Sequence, residues 1–220
     1  MKRTRFSASA VLFDWDGTLV NSYGADSRAY LAMFQALGIN WGLDDLARHY
    51  SPNWYHVYRA ARLPRAKWDE ADRIWTHAYK RENPRLMPGA RQIVRSLQRE
   101  FTLGIVTSGN RPRVRKQLRQ FQLAEYFSAC VCCEDAPKRK PHPAPLNLAL
   151  EQIGLDPNEC VYVGDTAEDI EMSRRAGVRP IGVLGPFPTA DLIRAARPDV
   201  ILSSIQDLPR YLQSIGKSRR

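Results

Sequence analysis

The sequence has few cysteines and no long apolar run. It contains four cysteines in 220 residues. Cys130, Cys132 and Cys133 fall on one predicted strand and Cys160 on another, and neither set has the spacing of zinc ligands, so we expect buried free thiols. No apolar run approaches the ~20 residues that cross a bilayer, and the apolar stretch behind the basic start is short. We therefore predict a soluble, cytoplasmic protein that does not bind membranes.

Acidic residues are in the minority: 23 aspartates and glutamates accompany 33 lysines and arginines, for a formal net charge of +10. The excess is divided between the termini and a predicted helix at residues 111–119. No zinc finger or basic-aromatic stretch accompanies it, which argues against specific nucleic-acid binding. We expect a solvated helix face beside a site that attracts anions. The bases of this helix are Arg111, Arg113, Arg115, Lys116 and Arg119, and its apolar stripe is Val114, Leu118 and Phe121.

An apolar, strand-like run ends in two carboxylates in the stretch VLFDWDGTLVNS, residues 11–22. Asp14 and Asp16 start from the same face, because side chains two residues apart on a strand point the same way, and Gly17 breaks the backbone directly after them. Two like charges in one small volume need a shared proton or a cation, and Mg²⁺ is a hard ion that suits oxygen ligands. The pattern predicts a reactive centre with bound Mg²⁺, and a turn that merely contains two acids is the alternative.

A second strand end, in the stretch TLGIVTSGN, supplies hydroxyl groups. Thr107 and Ser108 end this apolar run, and a helix is predicted to begin near Pro112, with Asn110 or Arg111 before it. A hydroxyl together with free backbone N–H groups at a helix start binds phosphate well. We therefore predict a phosphate-binding turn, while a threonine that only closes the turn is the alternative.

Two further segments supply a cation and more carboxylates. Lys140 precedes a Pro-x-Pro stretch and an amphipathic helix, which would fix it beside an anion, and Lys138 and Arg139 are the competing bases. The stretch CVYVGDTAED ends another strand at Asp165, a natural metal ligand, and Asp169 follows one helical turn later as indirect support of the metal. Ligands of parallel sheets bind at the carboxyl ends of the strands, and all four segments are expected there.

Strand-like runs alternate with helical patterns along most of the chain. This alternation predicts an α/β fold with a Rossmann-like parallel sheet and helices on both of its faces. Residues 22–84 interrupt the alternation with apolar residues at helical spacing, so we expect an inserted α-helical cap domain there. Residues 1–21 and 85–220 would form the catalytic core. The predicted strands lie near residues 8–14, 102–107, 129–133, 160–164, 179–183 and 199–202.

The four segments, in this order, resemble the haloacid dehalogenase superfamily of phosphohydrolases over essentially the whole chain. The stretch DWDGT resembles its nucleophile motif and GDTAED its acidic metal motif, with Thr107 and Lys140 at its other two motif positions. The stretches KPHPAPL, YVGDTAEDIEMSRRAG and LMPGA further resemble the phosphoglycolate phosphatase-like branch. Members of this branch generally read DLDGTLVDS, where this chain has Trp15 and Asn21. We expect Trp15 to point away from the acids and Asn21 to be able to cap the following helix.

The resemblance implies a Mg²⁺-dependent phosphatase that acts on a small phosphorylated metabolite. Asp14 would attack phosphorus to form an aspartyl phosphate, and Asp16 would act first as an acid and then as a base. The implied metal ligands are Asp14, the backbone carbonyl of Asp16, and Asp165, with Asp169 in support, and the implied phosphate ligands are Thr107, Ser108 and Lys140.

By the same resemblance, 2-phosphoglycolate is the favoured substrate. A sugar-phosphate phosphatase, a pyrophosphatase or a hexose-phosphate mutase would use the same residues. A binding or regulatory protein without activity would normally have lost one of the acids, and here all are present. The sequence leaves open whether the chain is a monomer or a homodimer.

Substrate choice is expected to reside in the cap, because a core that handles only phosphate cannot distinguish leaving groups. An arginine such as Arg59 would suit a carboxylated ester, since it can bind a carboxylate through two hydrogen bonds. The same residues could equally pack the cap itself. The candidates, between two predicted helices, are His49, Tyr50, Trp54, Tyr55, His56, Tyr58 and Arg59.

Overall fold

The computed structural model describes residues 8–216, and the basic stretches at residues 1–5 and 217–220 lie outside this range. No helix within it is long and apolar enough to cross a membrane. The described strands are β1 (Ala10–Phe13), β2 (Val20–Asn21), β3 (Arg85–Leu86), β4 (Thr102–Val106), β5 (Ala129–Val131), β6 (Cys160–Gly164), β7 (Arg179–Val183) and β8 (Val200–Leu202).

Helices separate most of these strands, and short 3₁₀ turns connect several of the elements. The described α-helices are α1 (Tyr23–Ala36), α2 (Leu43–His49), α3 (Trp54–Ala60), α4 (Trp68–Tyr79), α5 (Ala90–Leu97), α6 (Arg111–Gln120), α7 (Ala144–Ile153), α8 (Ala167–Arg175), α9 (Ala190–Ala196) and α10 (Leu208–Gly216).

Six strands form one parallel sheet in the order β5-β4-β1-β6-β7-β8. The central strand β1 pairs in parallel with β4 on one side and with β6 on the other. The α/β prediction is therefore confirmed, and each of the six strands overlaps a predicted one. The carboxyl ends of β1, β4 and β6 are adjacent at the point where the order of the strands reverses, which is where ligands of such sheets bind.

Helices cover both faces of the sheet, which explains why β1 is a continuous apolar run. Val11 and Phe13 face an apolar cluster that includes residues of α5, α6 and α10. Ala10 and Leu12 face a second cluster that includes residues of α7 and α8. The two-residue alternation along one strand thus divides the core into two layers.

Between β2 and β3 the chain forms the helical insertion, residues 22–84, which contains α1 to α4. It has an apolar cluster of its own in which Tyr30 and Phe34 are buried, as their helical spacing predicts. The two connections to this insertion run side by side, because β2 and β3 pair in antiparallel fashion. The insertion is confirmed as helical, whereas its status as a separate domain with these bounds stays a prediction.

Two local expectations are wrong. Asn21 does not cap α1, since it is an exposed residue of β2 and Ser22 is the N-cap residue. The strand predicted near residues 129–133 ends at Val131, so Cys132 and Cys133 lie in the turn that follows. Among the cysteines, Cys132 and Cys160 are buried, and the other two are half-buried.

The central position of Leu12 gives a test of the core. Leu12 is fully buried, so Leu12→Ala leaves a cavity and should lower the free energy of unfolding by about 2–5 kcal/mol. Leu192→Ala is the matched control, because Leu192 is 54% exposed, and should change it by less than about 0.5 kcal/mol. Urea denaturation measures both, and equal effects would contradict the assignment of Leu12 to the core.

Candidate active site

Lys140 is a buried cation that joins the strand ends. Its side chain is 2% exposed. Its Nζ donates hydrogen bonds to Asp14 Oδ1 (2.6 Å), Asp169 Oδ1 (2.8 Å) and the hydroxyl of Tyr162 (2.8 Å). These three bonds use all three protons of an ammonium group. The hydroxyl of Tyr162 donates in turn to the carbonyl of Val106, so the contact continues across the sheet.

More negative charge collects around Lys140 than it neutralises. Burial raises the pKa of Asp14 to about 7, although Lys140 acts in the opposite direction. Burial also raises the pKa of Asp165 well above its usual range, and the charges of Asp14 and Asp169 add to this. Burial lowers the pKa of Lys140, but Asp14 and Asp169 more than compensate, so this pKa is raised and the lysine is charged at neutral pH.

The carboxylates at this place suit a divalent metal ion. Oxygen atoms of Asp14, Asp165 and Asp169 lie within 4.8 Å of one another, and all three residues are buried. Asp165 Oδ1 accepts from the hydroxyl of Thr18 (3.1 Å), whereas Asp165 Oδ2 is buried without a hydrogen-bond partner among the described residues. Gly17, at φ 80°, is required beside it, because a Cβ atom there would lie 2.0 Å from that oxygen. An unpaired carboxylate oxygen in an acidic cluster is a ligand that Mg²⁺ prefers.

Asp169 is the member of the cluster whose oxygen atoms are both occupied. Its Oδ1 accepts from Lys140, and its Oδ2 accepts from the backbone N–H (3.1 Å) and the hydroxyl (2.7 Å) of Thr166. Thr166 is the N-cap residue of α8, so the helix start holds Asp169 in place. Asp169 is therefore arranged to orient Lys140.

The predicted phosphate-binding turn follows β4. Thr107 is buried, and its hydroxyl accepts from the backbone N–H of Gly109 (3.0 Å). Asn110 is the N-cap residue of α6, which confirms the predicted helix start. Thr107 and Ser108 both line a cavity that Asp14 also lines. Thr107 thus closes a turn and also faces the candidate site.

Asp16 has a partner that the sequence did not indicate. Both of its oxygen atoms accept from Arg113 of α6, at 2.8 and 2.6 Å. Arg113 also lies against the ring of Tyr79 (5.0 Å) and near Gln117, which in turn accepts from Trp15 (2.8 Å). Burial acts to raise the pKa of Asp16, but the charge and hydrogen bonds of Arg113 hold it below its usual value.

The expectation of a solvated basic helix face is therefore wrong for Arg113 and correct for its exposed neighbours Arg115, Lys116 and Arg119. The apolar stripe of α6 is buried as predicted. Gln117 is also buried, and it lies one helical turn from Arg113. The only indication available in the sequence was this position of Arg113 and Gln117 beside the apolar stripe.

A cavity of about 330 Å³ lies between the strand ends and the helical insertion. Asp14, Asp16 and Thr107 belong to its floor. The contacts that close the insertion over it include a hydrogen bond from Ser51 to Glu168 (2.8 Å) and the stacking of Tyr50 on Phe187 (4.6 Å). The aromatic residues of the insertion that line this cavity are Tyr30, Tyr50, Trp54, Tyr58 and Trp75.

The seven residues of the insertion that the sequence offered as candidates for substrate contact fall into two groups. Tyr50, Trp54 and Tyr58 line the cavity, whereas the other four candidates do not. His49 stacks on Trp41, Tyr55 stacks on Trp68, and His56 and Arg59 are exposed. Arg59 lies over the ring of Trp68 (5.3 Å) and does not line the cavity, which favours the packing role that the sequence left open for it.

Comparison with known proteins agrees with this arrangement. The sequence matches the family model described as haloacid dehalogenase-like hydrolase over residues 11–183. Pyrophosphatase PpaX of Oceanobacillus iheyensis is 26% identical over 212 residues, which cover 92% of this chain and 95% of that protein. Phosphoglycolate phosphatase of Escherichia coli (strain K12) is 35% identical over 124 residues, which cover 56% of this chain and 49% of that protein.

Solved structures share the fold. A predicted phosphoglycolate phosphatase from Haemophilus somnus has a TM-score of 0.83 at 23% identity, with 96% of this chain and 100% of that chain covered. A predicted phosphatase from Clostridium acetobutylicum has a TM-score of 0.84 at 20% identity, with 94% and 99% covered. The family match extends over most of the chain. The chain therefore belongs to the haloacid dehalogenase-like hydrolases.

Proposed function

We propose that this protein is a Mg²⁺-dependent phosphatase that hydrolyses a small phosphomonoester through an aspartyl phosphate on Asp14. The favoured substrate is 2-phosphoglycolate. The observation that carries the proposal is the contact of Lys140 with Asp14 and Asp169, beside Asp165 and at the cavity that Thr107 lines. A nucleophile, a fixed cation and a phosphate-binding turn are what phosphoryl transfer needs.

Three residues would hold the metal: Asp14, Asp165 and, through its backbone carbonyl, Asp16. The unpaired Oδ2 of Asp165 supports this assignment. Bound there, Mg²⁺ would cancel the repulsion between an anionic nucleophile and an anionic phosphate. Asp169 would support the site indirectly, since both of its oxygens already hold Lys140 and Thr166.

The reaction would proceed in two displacements. The Asp14 carboxylate forms a bond to phosphorus as the bond to the leaving oxygen breaks, and Asp16 gives that oxygen a proton. Asp16 then removes a proton from the water that attacks the aspartyl phosphate, which releases phosphate and restores Asp14. Thr107 and Ser108 would hold the phosphoryl oxygens throughout, and Lys140, whose three protons go to Asp14, Asp169 and Tyr162, would stabilise their negative charge from beside Asp14.

The ion pair with Arg113 suits the second of these steps more than the first. It keeps Asp16 ionised, as a base must be, because the guanidinium favours the charged form. To act as an acid, Asp16 must first leave Arg113 and take up a proton. We therefore infer that substrate entry separates this pair before the first displacement.

Hydrolysis of pyrophosphate is the second candidate function. Pyrophosphatases PpaX of Oceanobacillus iheyensis and Bacillus cereus match over nearly the whole chain, at 26% and 28% identity. The phosphoglycolate phosphatase of Escherichia coli is more similar but matches over 56% of the chain. Sugar-phosphate hydrolysis and mutase activity stay alternatives with the same chemistry. A cytoplasmic location, a monomeric or homodimeric state and the lack of specific nucleic-acid binding also stay predictions.

A panel of phosphate esters tests the proposal. With Mg²⁺, the protein should release phosphate from 2-phosphoglycolate, and Asp14→Asn should lower kcat by more than about a thousandfold, since it removes the nucleophile. Removal of Mg²⁺ with EDTA should abolish the activity, and added Mg²⁺ should restore it. Asp191→Asn is the matched control, because Asp191 is 97% exposed on α9, and should leave kcat unchanged.

The outcomes separate the alternatives. Activity that survives Asp14→Asn would remove Asp14 as the nucleophile. A higher kcat/KM for pyrophosphate than for 2-phosphoglycolate would establish the second candidate function. Turnover of sugar phosphates alone would contradict both, and no turnover of any ester would contradict the proposal of a phosphatase.

The charge excess at the site gives a prediction about stability. The pKa of Asp14 is raised from 3.8 to about 7 on folding, so the folded protein binds more protons than the unfolded chain between these values. Stability without metal should therefore fall as the pH rises through this window. Asn does not titrate, so the free energy of unfolding of Asp14→Asn should not fall in this way. Relative to that of the wild type, it should rise by up to a few kcal/mol between about pH 4 and about pH 8.

Thermal denaturation in EDTA at both ends of this pH range measures the effect. The melting temperature of Asp14→Asn, relative to that of the wild type, should rise with pH. Asp191→Asn should show no such change. A difference that is constant with pH, or that falls, would contradict the raised pKa of Asp14 in the folded protein.

A further inference from the structure

Arg139 precedes Lys140 and lies where the strand ends face the helical insertion. Its guanidinium carbon is 3.8 Å from the ring centroid of Trp54 and 4.7 Å from that of Tyr55. A cation–π contact of this kind does not use the N–H groups of the guanidinium, which stay available for hydrogen bonds. The two aromatic rings therefore hold Arg139 at the cavity without satisfying its donors.

One nitrogen of Arg139 lacks an acceptor. Its Nη1 is buried and has no hydrogen-bond partner among the described residues, and within residues 8–216 Arg139 forms no ion pair. A buried charged donor without a partner is costly, and a ligand or an ordered water is the usual explanation. Arg113, the other described arginine of the cavity, has its terminal nitrogens on Asp16. Arg139 is thus the cavity arginine that is free to bind a ligand.

The position of Arg139 indicates an anion. It lines the cavity together with Thr107 and Ser108. It also borders a small cleft with Lys138, whereas Lys140 in the same cleft is already paired with Asp14 and Asp169. A group bound by Arg139 would therefore sit next to the phosphate-binding turn.

Of the five carboxylates that line the same cavity, Asp14 and Asp16 are paired with Lys140 and Arg113, and the other three are engaged or mostly neutral. Asp72 accepts from the hydroxyl of Tyr58 (2.7 Å), and Glu134 accepts from the backbone N–H of Arg111 (3.0 Å). The pKa of Asp26 is raised to about 8, chiefly by burial, so this acid is mostly neutral at physiological pH. None of the three supplies the acceptor that Arg139 lacks.

We propose that Arg139 binds a second anionic group of the substrate, a carboxylate or a second phosphoryl group, while the first phosphoryl group lies at Asp14, Thr107 and Lys140. This inference rests on the proposed phosphatase function and deepens it. It selects small phosphate esters or anhydrides that carry a second negative group, and it disfavours sugar monophosphates. Arg139 would then bind the carboxylate for which the sequence suggested Arg59.

Three ligands that differ in their second group test the proposal. 2-Phosphoglycolate carries a carboxylate, pyrophosphate carries a second phosphoryl group, and ethyl phosphate carries no second anionic group. Arg139→Gln should lower kcat/KM for a doubly anionic substrate by about 10- to 100-fold, mainly through KM, because a charge-assisted contact is lost. For ethyl phosphate the change should stay below about threefold. The substrate that suffers the larger loss identifies the second group as carboxylate or phosphoryl.

Two further variants control for charge and packing. Arg139→Lys keeps the charge but loses the planar pair of donors, and its loss should be intermediate. Arg59→Gln removes an arginine that also stacks on a tryptophan of the insertion but does not line the cavity, so it should leave all three substrates unchanged. Melting temperatures show whether each variant is folded.

A binding measurement separates this inference from the proposed function. Calorimetry in an Asp14→Asn background measures the Kd of each ligand without turnover. A Kd for 2-phosphoglycolate or pyrophosphate that rises at least about tenfold with Arg139→Gln, with ethyl phosphate nearly unchanged, supports the anion site even if the wild type hydrolyses nothing. A wild-type protein that hydrolyses none of these ligands would overturn the proposed function but not the anion site.

Three results would overturn the anion site. One is a loss of affinity or kcat/KM in Arg139→Gln that is as large for ethyl phosphate as for the doubly anionic ligands. That result would assign Arg139 to closure of the insertion. Another is no loss for any ligand. The last is the absence of measurable binding of both doubly anionic ligands to a folded Asp14→Asn protein.

Discussion

The structure depends on one buried ammonium group. Lys140 donates its three ammonium protons in hydrogen bonds to Asp14, Asp169 and Tyr162. A buried charge without such partners would cost several kcal/mol. The end of β1, the middle of β6 and the first turn of α8 must therefore all be in place together. The same ammonium cannot neutralise all the carboxylates around it, and this is the place where the proposed chemistry calls for a divalent ion.

The strands and the residues that follow them could be predicted from the sequence, because each buried parallel strand is a short apolar run that ends in a polar motif. Asp14, Thr107, Lys140 and Asp165 were predicted in this way. The inward position of Arg113 was not, and Arg139 was named only as a base that competes with Lys140, because a run of basic residues does not show which member turns inward. That depends on partners far away in the chain: 97 positions separate Arg113 from Asp16. The pair of β2 and β3 was missed because two-residue strands have no readable period.

If Arg139 has the proposed role, closure and selectivity use the same side chains. Trp54 of the insertion covers the cavity and also fixes Arg139, while Tyr50 covers the cavity and stacks on Phe187. A ligand that satisfies Arg139 would therefore stabilise the closed arrangement over the open one by the amount of that contact. Water would be excluded from Asp14 most completely when the correct leaving group is present.

The antiparallel pairing of β2 with β3 has a consequence for how this protein can change. The partners Asn21 and Arg85 bring the two ends of the insertion to within about 5 Å of each other. A two-residue turn is enough to join such neighbouring strands. The sheet therefore meets the insertion at a single stem, and lids of another length or shape can be exchanged there without moving any catalytic strand. Diversification of substrates in such a chain does not require the chemistry to be rebuilt.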